Sequence, residues 1–229
     1  SSDLISVTNG GKIYFKIKTP ASAYTIQIYR LGYYQGNGAR LIATVTPSAP
    51  LPQTQPAPIT DPSTGLIDCG NWAVSASWQV PTNAVSGVYL ARIKRSDTGG
   101  ASHIIFIVRN DASTSDILFQ TSDTTWQAYN TYGGNSLYVG SPVGRAYKVS
   151  YNRPFTTDTF DWVFNAEYPM IRWLEANGFN VTYTSGLDMD RQPGSLLLQQ
   201  HLMISCNHDE YWSGLERTNV ENALAAGMS

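Results

Sequence analysis

The sequence predicts a mainly β chain in two parts, an antiparallel β-sandwich followed by an α/β domain with a parallel sheet. Apolar and polar residues alternate through residues 11–109 with the period of half-buried strands. The segment 110–116 that follows is small and polar, as domain boundaries often are. Beyond it, apolar runs alternate with helical patterns, which is typical of βαβ units. We therefore assign residues 1–112 to the sandwich and residues 113–229 to the α/β domain.

The strands of the first part are recognised by this alternation and by the turn residues between them. Ile13, Phe15 and Ile17 alternate with lysine and tyrosine, and Trp78 is expected among the inward-facing side chains of a later strand. Further strands are predicted at 24–28, 40–45, 76–80, 88–94 and 103–109. Roughly seven such strands are typical of a sandwich. The six prolines between residues 47 and 62 predict an extended surface excursion.

The second part is predicted from strand and helix signals. The expected elements are strands at 117–119, 179–183 and 201–206 and helices at 169–177 and from residue 213 onwards. Pro169 starts the first helix and Gly178 stops it. Ser213 and Glu216 have the spacing of a capping box, which predicts the second helix. The chain ends just after Gly227, where an α/β sheet needs its next strand, so we expect a truncated second domain.

The composition excludes several classes of partner. With 42% hydrophobic and 14% charged residues, the 229-residue chain is globular rather than disordered. Lys and Arg total 15 against 17 Asp and Glu, and no basic run is present, so we expect no nucleic-acid partner. No apolar stretch approaches the ~20 residues of a membrane span. The low lysine count and the many Ser, Thr and Tyr residues favour a secreted mature chain. A homo-oligomer is left open.

Polar and aromatic side chains follow two strands of the predicted parallel sheet. Ligands of such sheets bind beyond the carboxyl ends of the strands. The loop after the first strand carries Asp123, Trp126, Tyr129, Asn130, Tyr132 and Tyr138. The loop after the last strand carries Asn207, His208, Asp209, Glu210, Tyr211 and Trp212. We expect both loops at one edge of the sheet, and this edge is the candidate site.

The segment 206–210 places a thiol, an imidazole and two carboxylates within five residues. It could supply a metal ligand, a general base or a cysteine nucleophile, or its acids could merely favour the N-terminal end of the helix that Ser213 caps. The nucleophile is the weakest of these, because Cys206 ends an apolar run and buried cysteines are usually inert. Cys69 and Cys206 lie in different halves, so the sequence suggests neither a disulfide framework nor a multi-cysteine zinc site.

Tyrosines in such loops are ordinarily packing residues with the hydroxyl at the rim. A tyrosine becomes a metal ligand when a strongly charged hard cation lowers its pKa from about 10, which favours ferric iron over zinc or magnesium. Two tyrosinates and one carboxylate would formally balance a 3+ charge. His103 and His201 have no acidic or cysteine neighbour at ligand spacing, and we interpret them as structural or surface residues.

Several motifs, taken in order along nearly the whole chain, resemble the N,N-dimethylformamidase large-subunit-like family. The motifs are Ile28-Tyr-Arg-Leu-Gly-Tyr-Tyr34, Gly38-Ala-Arg40, Trp78-Gln-Val-Pro81, Ser86-Gly-Val-Tyr89, Ala128-Tyr-Asn130, Ser150-Tyr-Asn-Arg-Pro154 and His208-Asp-Glu-Tyr-Trp-Ser213. Each string is weak alone, and their order and separations make the match specific. The resemblance implies a β-sandwich, which we interpret as immunoglobulin-like, followed by a domain similar to class I glutamine amidotransferases without their cysteine chemistry.

The resemblance also implies a metal site. Amidase members of the family hold a ferric ion with two tyrosines and a glutamate, which match Tyr129, Tyr138 and Glu210. His208 is the companion of this glutamate and would pass a proton to the leaving amine. The chain departs from the family at two places. Asp209 replaces a proline and adds a carboxylate beside the proposed metal, and residues 139–144 replace a His/Asp/Gly-rich segment. Tyr132 is a rival for the role of Tyr138.

Two functions follow as hypotheses. The first is an Fe³⁺-dependent hydrolase that cleaves the C–N bonds of small amides. The second is a secreted binding or adhesion module without catalysis, whose aromatic side chains stack on carbohydrate or another polymer. Six Trp and 14 Tyr residues support the second hypothesis, and Trp126, Tyr211 and Trp212 are its candidate contacts.

Overall fold

The computed structural model describes residues 1–141, 144–156, 163–191, 197, 199–206 and 208–229. The prediction of a mainly β chain is confirmed. Its strands are β1 Ser6–Thr8, β2 Lys12–Phe15, β3 Tyr24–Leu31, β4 Ala39–Val45, β5 Ile59–Asp61, β6 Leu66–Asp68, β7 Ala76–Gln79, β8 Gly87–Arg95, β9 Ala101–Arg109, β10 Ile117–Thr121, β11 Val181–Ser185 and β12 Leu202–Ser205. Its α-helices are α1 Asp123–Tyr129, α2 Glu167–Ala176, α3 Gly186–Arg191 and α4 Gly214–Ala225.

The largest sheet has the strand order β1-β9-β8-β3-β4. Its pairs are antiparallel except that β1 lies parallel to β9, where Ser6 pairs with Ile107. The prediction of a wholly antiparallel sandwich is therefore wrong at this edge. With only three residues, β1 is too short to show a period. It also has no hairpin to β9 that would force an antiparallel pairing.

From Ile104 to Arg109, β9 is buried on both faces of this sheet. Phe106 of β9 packs against Phe15 and Trp78 of the two-stranded sheet β2-β7, with ring centroids 6.0 Å apart in each case. Trp78 is 7% exposed, so its predicted inward position is confirmed. Ile105 and Ile107 of β9 point to the opposite face, where they join the second apolar core. Residues buried on both faces explain why β9 reads as a continuous apolar run.

The second part of the chain contributes a three-stranded sheet with the order β11-β10-β12. Both pairings are parallel, and Ile117 of β10 lies opposite both Val181 and Leu202. The prediction of a parallel sheet is confirmed. Phe119 of β10 and Tyr183 of β11 belong to the same apolar core as Ile105 and Ile107 of β9. The three strands end at one edge, so the segments that leave β10 and β12 start side by side.

Several predicted elements differ from the structure. The segment 123–129, predicted as a loop, is the helix α1, and the strand predicted at 179–183 is β11, which begins at Val181. The helix predicted at 169–177 is α2, which begins at Glu167, so Pro169 is its third residue and not its first. Asp123, Thr125, Trp126, Gln127 and Ala128 of α1 are all buried, so the helix has no polar face that periodicity could reveal. The domain boundary near residue 112 stays a prediction.

The capping box of α4 is confirmed and supports a first prediction. The Ser213 side chain accepts a hydrogen bond from the Glu216 backbone N–H at 2.9 Å, and Glu216 Oε2 accepts one from the Ser213 N–H at 3.2 Å. Ser213→Ala is expected to lower the free energy of unfolding by about 1 kcal/mol, measured by urea denaturation. Ser213→Thr keeps the acceptor and should stay close to wild type. Equal stability of Ser213→Ala and wild type would contradict the capping role.

Candidate functional site

The Glu210 carboxylate is the meeting point of the residues that the sequence singled out. The Tyr129 hydroxyl donates to Glu210 Oε2 at 2.9 Å. The Tyr138 hydroxyl lies 2.9 and 2.8 Å from the two carboxylate oxygens. His208 Nε2 lies 3.1 Å from Glu210 Oε2. The structure therefore brings together the four residues predicted for the site, although the tyrosines are 81 and 72 residues from the glutamate along the chain.

The parallel sheet explains this convergence. Tyr129 is the last residue of α1, which begins two residues after the central strand β10. His208 and Glu210 lie between β12 and α4. Because β10 and β12 are neighbouring parallel strands, the segments after their carboxyl ends face each other. These contacts confirm the prediction that the loops after β10 and β12 lie at one edge of the sheet.

Tyr138 is held beside Tyr129 by the loop that follows α1. The two rings stack with centroids 4.3 Å apart and an interplanar angle of 24°. The Leu137 N–H donates to the Ala128 carbonyl at 2.9 Å, which ties the loop to the end of the helix. Tyr132, the rival ligand, forms a side-chain hydrogen bond with Cys69, and burial raises the pKa of its phenol. Of Tyr132 and Tyr138, Tyr138 is therefore the one that contacts Glu210.

Arg153 fixes the backbone that carries both tyrosines. Its guanidinium is buried and donates to the carbonyl oxygens of Gln127 at 2.8 Å and Asn135 at 2.7 Å. These carbonyls lie two residues before Tyr129 and three residues before Tyr138. Burial lowers the pKa of Arg153 to about 10, so the side chain stays protonated at neutral pH. The sequence marked Arg153 only as part of a motif and gave no sign of this role.

Desolvation and hydrogen bonds favour the protonated phenol of Tyr138. The pKa of Tyr138 is raised above its ordinary value, first by desolvation of the phenol and then by hydrogen bonds with Tyr129, Tyr211 and Glu210. The residue is 43% exposed, and its hydrogen bonds with Glu210 and Tyr211 lie at the surface. The Tyr211 hydroxyl donates to the Tyr138 oxygen at 2.7 Å. Both phenols thus act as donors to the one carboxylate.

Asp209 does not lie where the sequence placed it. Its Oδ2 accepts from Ser205 Oγ at 2.5 Å, from Trp212 Nε1 at 2.8 Å and from Gln120 Nε2 at 3.1 Å. The carboxylate therefore turns toward the ends of β10 and β12, and burial raises its pKa. The expectation of a second carboxylate beside the tyrosines and Glu210 is wrong. The reason is that donors from Ser205, Trp212 and Gln120 hold this carboxylate at the ends of the strands.

Several other candidate residues have contacts or burial that do not suit a catalytic or binding role. Burial raises the pKa of Cys206 to about 12, so its thiol is protonated and a poor nucleophile. Trp126 is 2% exposed and packs edge-on against Phe155, which removes it from any surface that could stack on a sugar. His103 packs edge-on against Phe164. His201 is exposed, and Asn207 lies outside the described residues.

In the described part of the chain, His, Cys, Asp and Glu side chains form no group of three or more that could hold a metal ion. The Glu210 cluster has two tyrosines as its other oxygen donors, so it is a different kind of donor set. Every described helix is too short or too polar to cross a bilayer.

Two comparisons with known proteins bear on this chain. A family model described as N,N-dimethylformamidase beta subunit-like, C-terminal, matches residues 25–229. The match includes Tyr129, Tyr138, His208 and Glu210. A comparison with curated proteins found no match.

Proposed function

Because the chain belongs to the N,N-dimethylformamidase beta subunit-like family, whose description indicates a hydrolase-type role, we propose that it is an Fe³⁺-dependent hydrolase of small amide C–N bonds. The observation that carries the proposal is the convergence of the Tyr129 and Tyr138 hydroxyls on the Glu210 carboxylate. An immunoglobulin-like first part, a glutamine-amidotransferase-like second part and secretion belong to the same proposal. The words "beta subunit" in the family description support association with further subunits.

The donor set fits a ferric ion. Both phenol oxygens lie 2.8–2.9 Å from a carboxylate oxygen, close enough for all three side chains to bind one ion. Loss of the two phenol protons would give two phenolates and one carboxylate, which balance a 3+ charge. Oxygen donors that are anionic and hard suit Fe³⁺ better than Zn²⁺, which is commonly bound by nitrogen and sulfur ligands. Tyr129, Tyr138 and Glu210 would hold the ion.

The residues around this centre have distinct roles in amide hydrolysis. A bound ferric ion supplies a Lewis acid for the amide carbonyl and lowers the pKa of water. His208 lies beside Glu210, and its side chain is 46% exposed, so the imidazole can exchange protons with solvent. It would donate a proton to the amine as the C–N bond breaks, while the water oxygen ends in the carboxylic acid. Substrate and water thus give one acid and one amine.

Iron content and colour test the proposal. Purified protein reconstituted with Fe³⁺ should bind one iron per chain, show a tyrosinate-to-iron charge-transfer band in the visible region and hydrolyse simple formamides. Tyr129→Phe and Tyr138→Phe should each lose most of the band, because each removes one phenolate and with it one of the three anionic donors that hold the ion. Tyr132→Phe is the matched control. This variant should keep the band, since the Tyr132 side chain is hydrogen-bonded to Cys69 and not to Glu210.

The binding module is the competing outcome of the same experiment. A colourless, iron-free protein without hydrolase activity would overturn the ferric centre. Binding to a glycan array by that protein would then support the module. The binding module has fewer aromatic side chains that could stack on a sugar than the sequence suggested. Trp126 is buried, and the Trp212 indole donates a hydrogen bond to Asp209.

A further inference from the structure

We propose that Thr125 is a positioning residue that sets the Glu210 carboxylate against the Tyr129 hydroxyl, an inference that rests on the proposed ferric centre. Thr125 is fully buried in α1. Its Oγ1 accepts hydrogen bonds from the backbone N–H groups of Glu210 at 2.9 Å and Tyr211 at 3.3 Å. One side-chain oxygen therefore holds two successive amides of the turn that carries the glutamate.

The position of Thr125 on α1 makes this contact specific. Thr125 and Tyr129 are four residues apart, so their side chains lie on the same face of the helix. That face presents both the phenol that meets the Glu210 carboxylate and the acceptor that holds the Glu210 backbone. A shift of the turn along the helix would break both contacts together. The two hydrogen bonds thus fix the register of the turn on α1.

The same anchor reaches the second tyrosine. Tyr211, whose amide is held by Thr125, donates its hydroxyl to Tyr138 at 2.7 Å. Asp209 anchors the opposite side of the turn to Gln120 and Ser205, which lie on the strands rather than on the helix. Asp209 can therefore hold the turn in the fold without setting its register against α1. Setting that register is the role we assign to Thr125.

Thr124 supplies a matched control for Thr125. It is the preceding residue of the same helix, and the described residues offer its buried hydroxyl oxygen no hydrogen-bond partner. Thr→Val at either position keeps the shape of the side chain and removes the hydroxyl. Thr125→Ser keeps the acceptor oxygen and tests rescue. Loss of helix propensity is the same for valine at both positions, so it cancels in the comparison.

The first test measures Fe³⁺ affinity by titration of the visible band. Removing an outer partner of a metal ligand typically costs 10- to 100-fold in affinity. Thr125→Val is expected to weaken binding at least 10-fold, while Thr125→Ser and Thr124→Val stay within about 2-fold of wild type. An equal loss for both valine variants, or no recovery of affinity in Thr125→Ser relative to Thr125→Val, would overturn the proposal.

The second test needs no metal and no stable variant. Amide hydrogen exchange in the metal-free wild-type protein should show the Glu210 and Tyr211 N–H groups protected, because both are hydrogen-bonded in a partly exposed turn. Rapid exchange of both amides would overturn the positioning role even if Thr125→Val does not fold. If the wild-type protein binds no iron while these amides are protected, the ferric centre fails and the contact between Thr125 and the turn stands.

Discussion

Glu210→Gln is expected to abolish iron binding and amide hydrolysis while leaving the fold intact. The carboxylate is the shared partner of Tyr129, Tyr138 and His208, and it supplies one of the three negative charges that the proposed ion requires. A glutamine has the same shape but no charge. We expect kcat/KM and Fe³⁺ affinity to fall by more than the 10- to 100-fold caused by losing an outer-shell partner. Metal analysis and a formamide hydrolysis assay measure both.

The control is Glu221→Gln, which removes an exposed carboxylate of α4 that pairs with Arg217. This variant should bind iron and hydrolyse amides as wild type does. Unchanged secondary structure by circular dichroism would show that Glu210→Gln is folded. Wild-type iron content and activity in Glu210→Gln would contradict the assignment of the carboxylate as a ligand.

The sequence could predict the members of the site but not how they are held. Strands that run parallel share a carboxyl edge, and this rule brings together the segments of Tyr129 and Glu210 before any coordinates are known. Thr125 and Arg153 escaped prediction because their hydrogen bonds go to backbone groups of other segments. Such bonds depend on the register of a turn against a helix, which no local pattern encodes.

The predictable part of the fold is likewise the part with a regular pattern. Alternation located β2 and β3, and the Ser213 and Glu216 pair located the start of α4. The strands β1, β5 and β6 were missed, because three residues are too few to define a period. The helix α1 was missed because its buried residues include Asp123 and Gln127, whose polarity hides the helical stripe.

Glu167→Gln is expected to stabilise the protein at alkaline pH. Glu167 is fully buried at the start of α2, and its Oε1 accepts hydrogen bonds from the Ser122 N–H and hydroxyl at 2.5 Å each. Burial raises its pKa from 4.5 to about 8, against the opposing effect of the Ser122 hydrogen bonds, and the charges of Asp123 and Asp209 raise it further. At neutral pH the folded protein therefore holds a proton on this carboxyl.

The sign of the pH dependence follows from proton binding. Between pH 4.5 and about 8 the folded state keeps the Glu167 proton and the unfolded state has released it. The free energy of unfolding falls as pH rises wherever the folded state binds more protons. At 1.36 kcal/mol per pH unit, this window sets an upper limit of roughly 5 kcal/mol. Glutamine imitates the protonated acid at every pH and removes this loss.

Urea denaturation from pH 5 to pH 9 measures the effect. Glu167→Gln and wild type should have similar stability at pH 5, and the variant should be more stable by ~2–4 kcal/mol at pH 9. Burial also raises the pKa of Asp123 to about 6 and of Glu216 to about 7, so part of the wild-type slope persists in the variant. Glu221→Gln should shift stability by less than about 0.5 kcal/mol at all pH values, as an exposed pair does. A constant difference between Glu167→Gln and wild type across this range would show that Glu167 does not hold its proton in the folded protein.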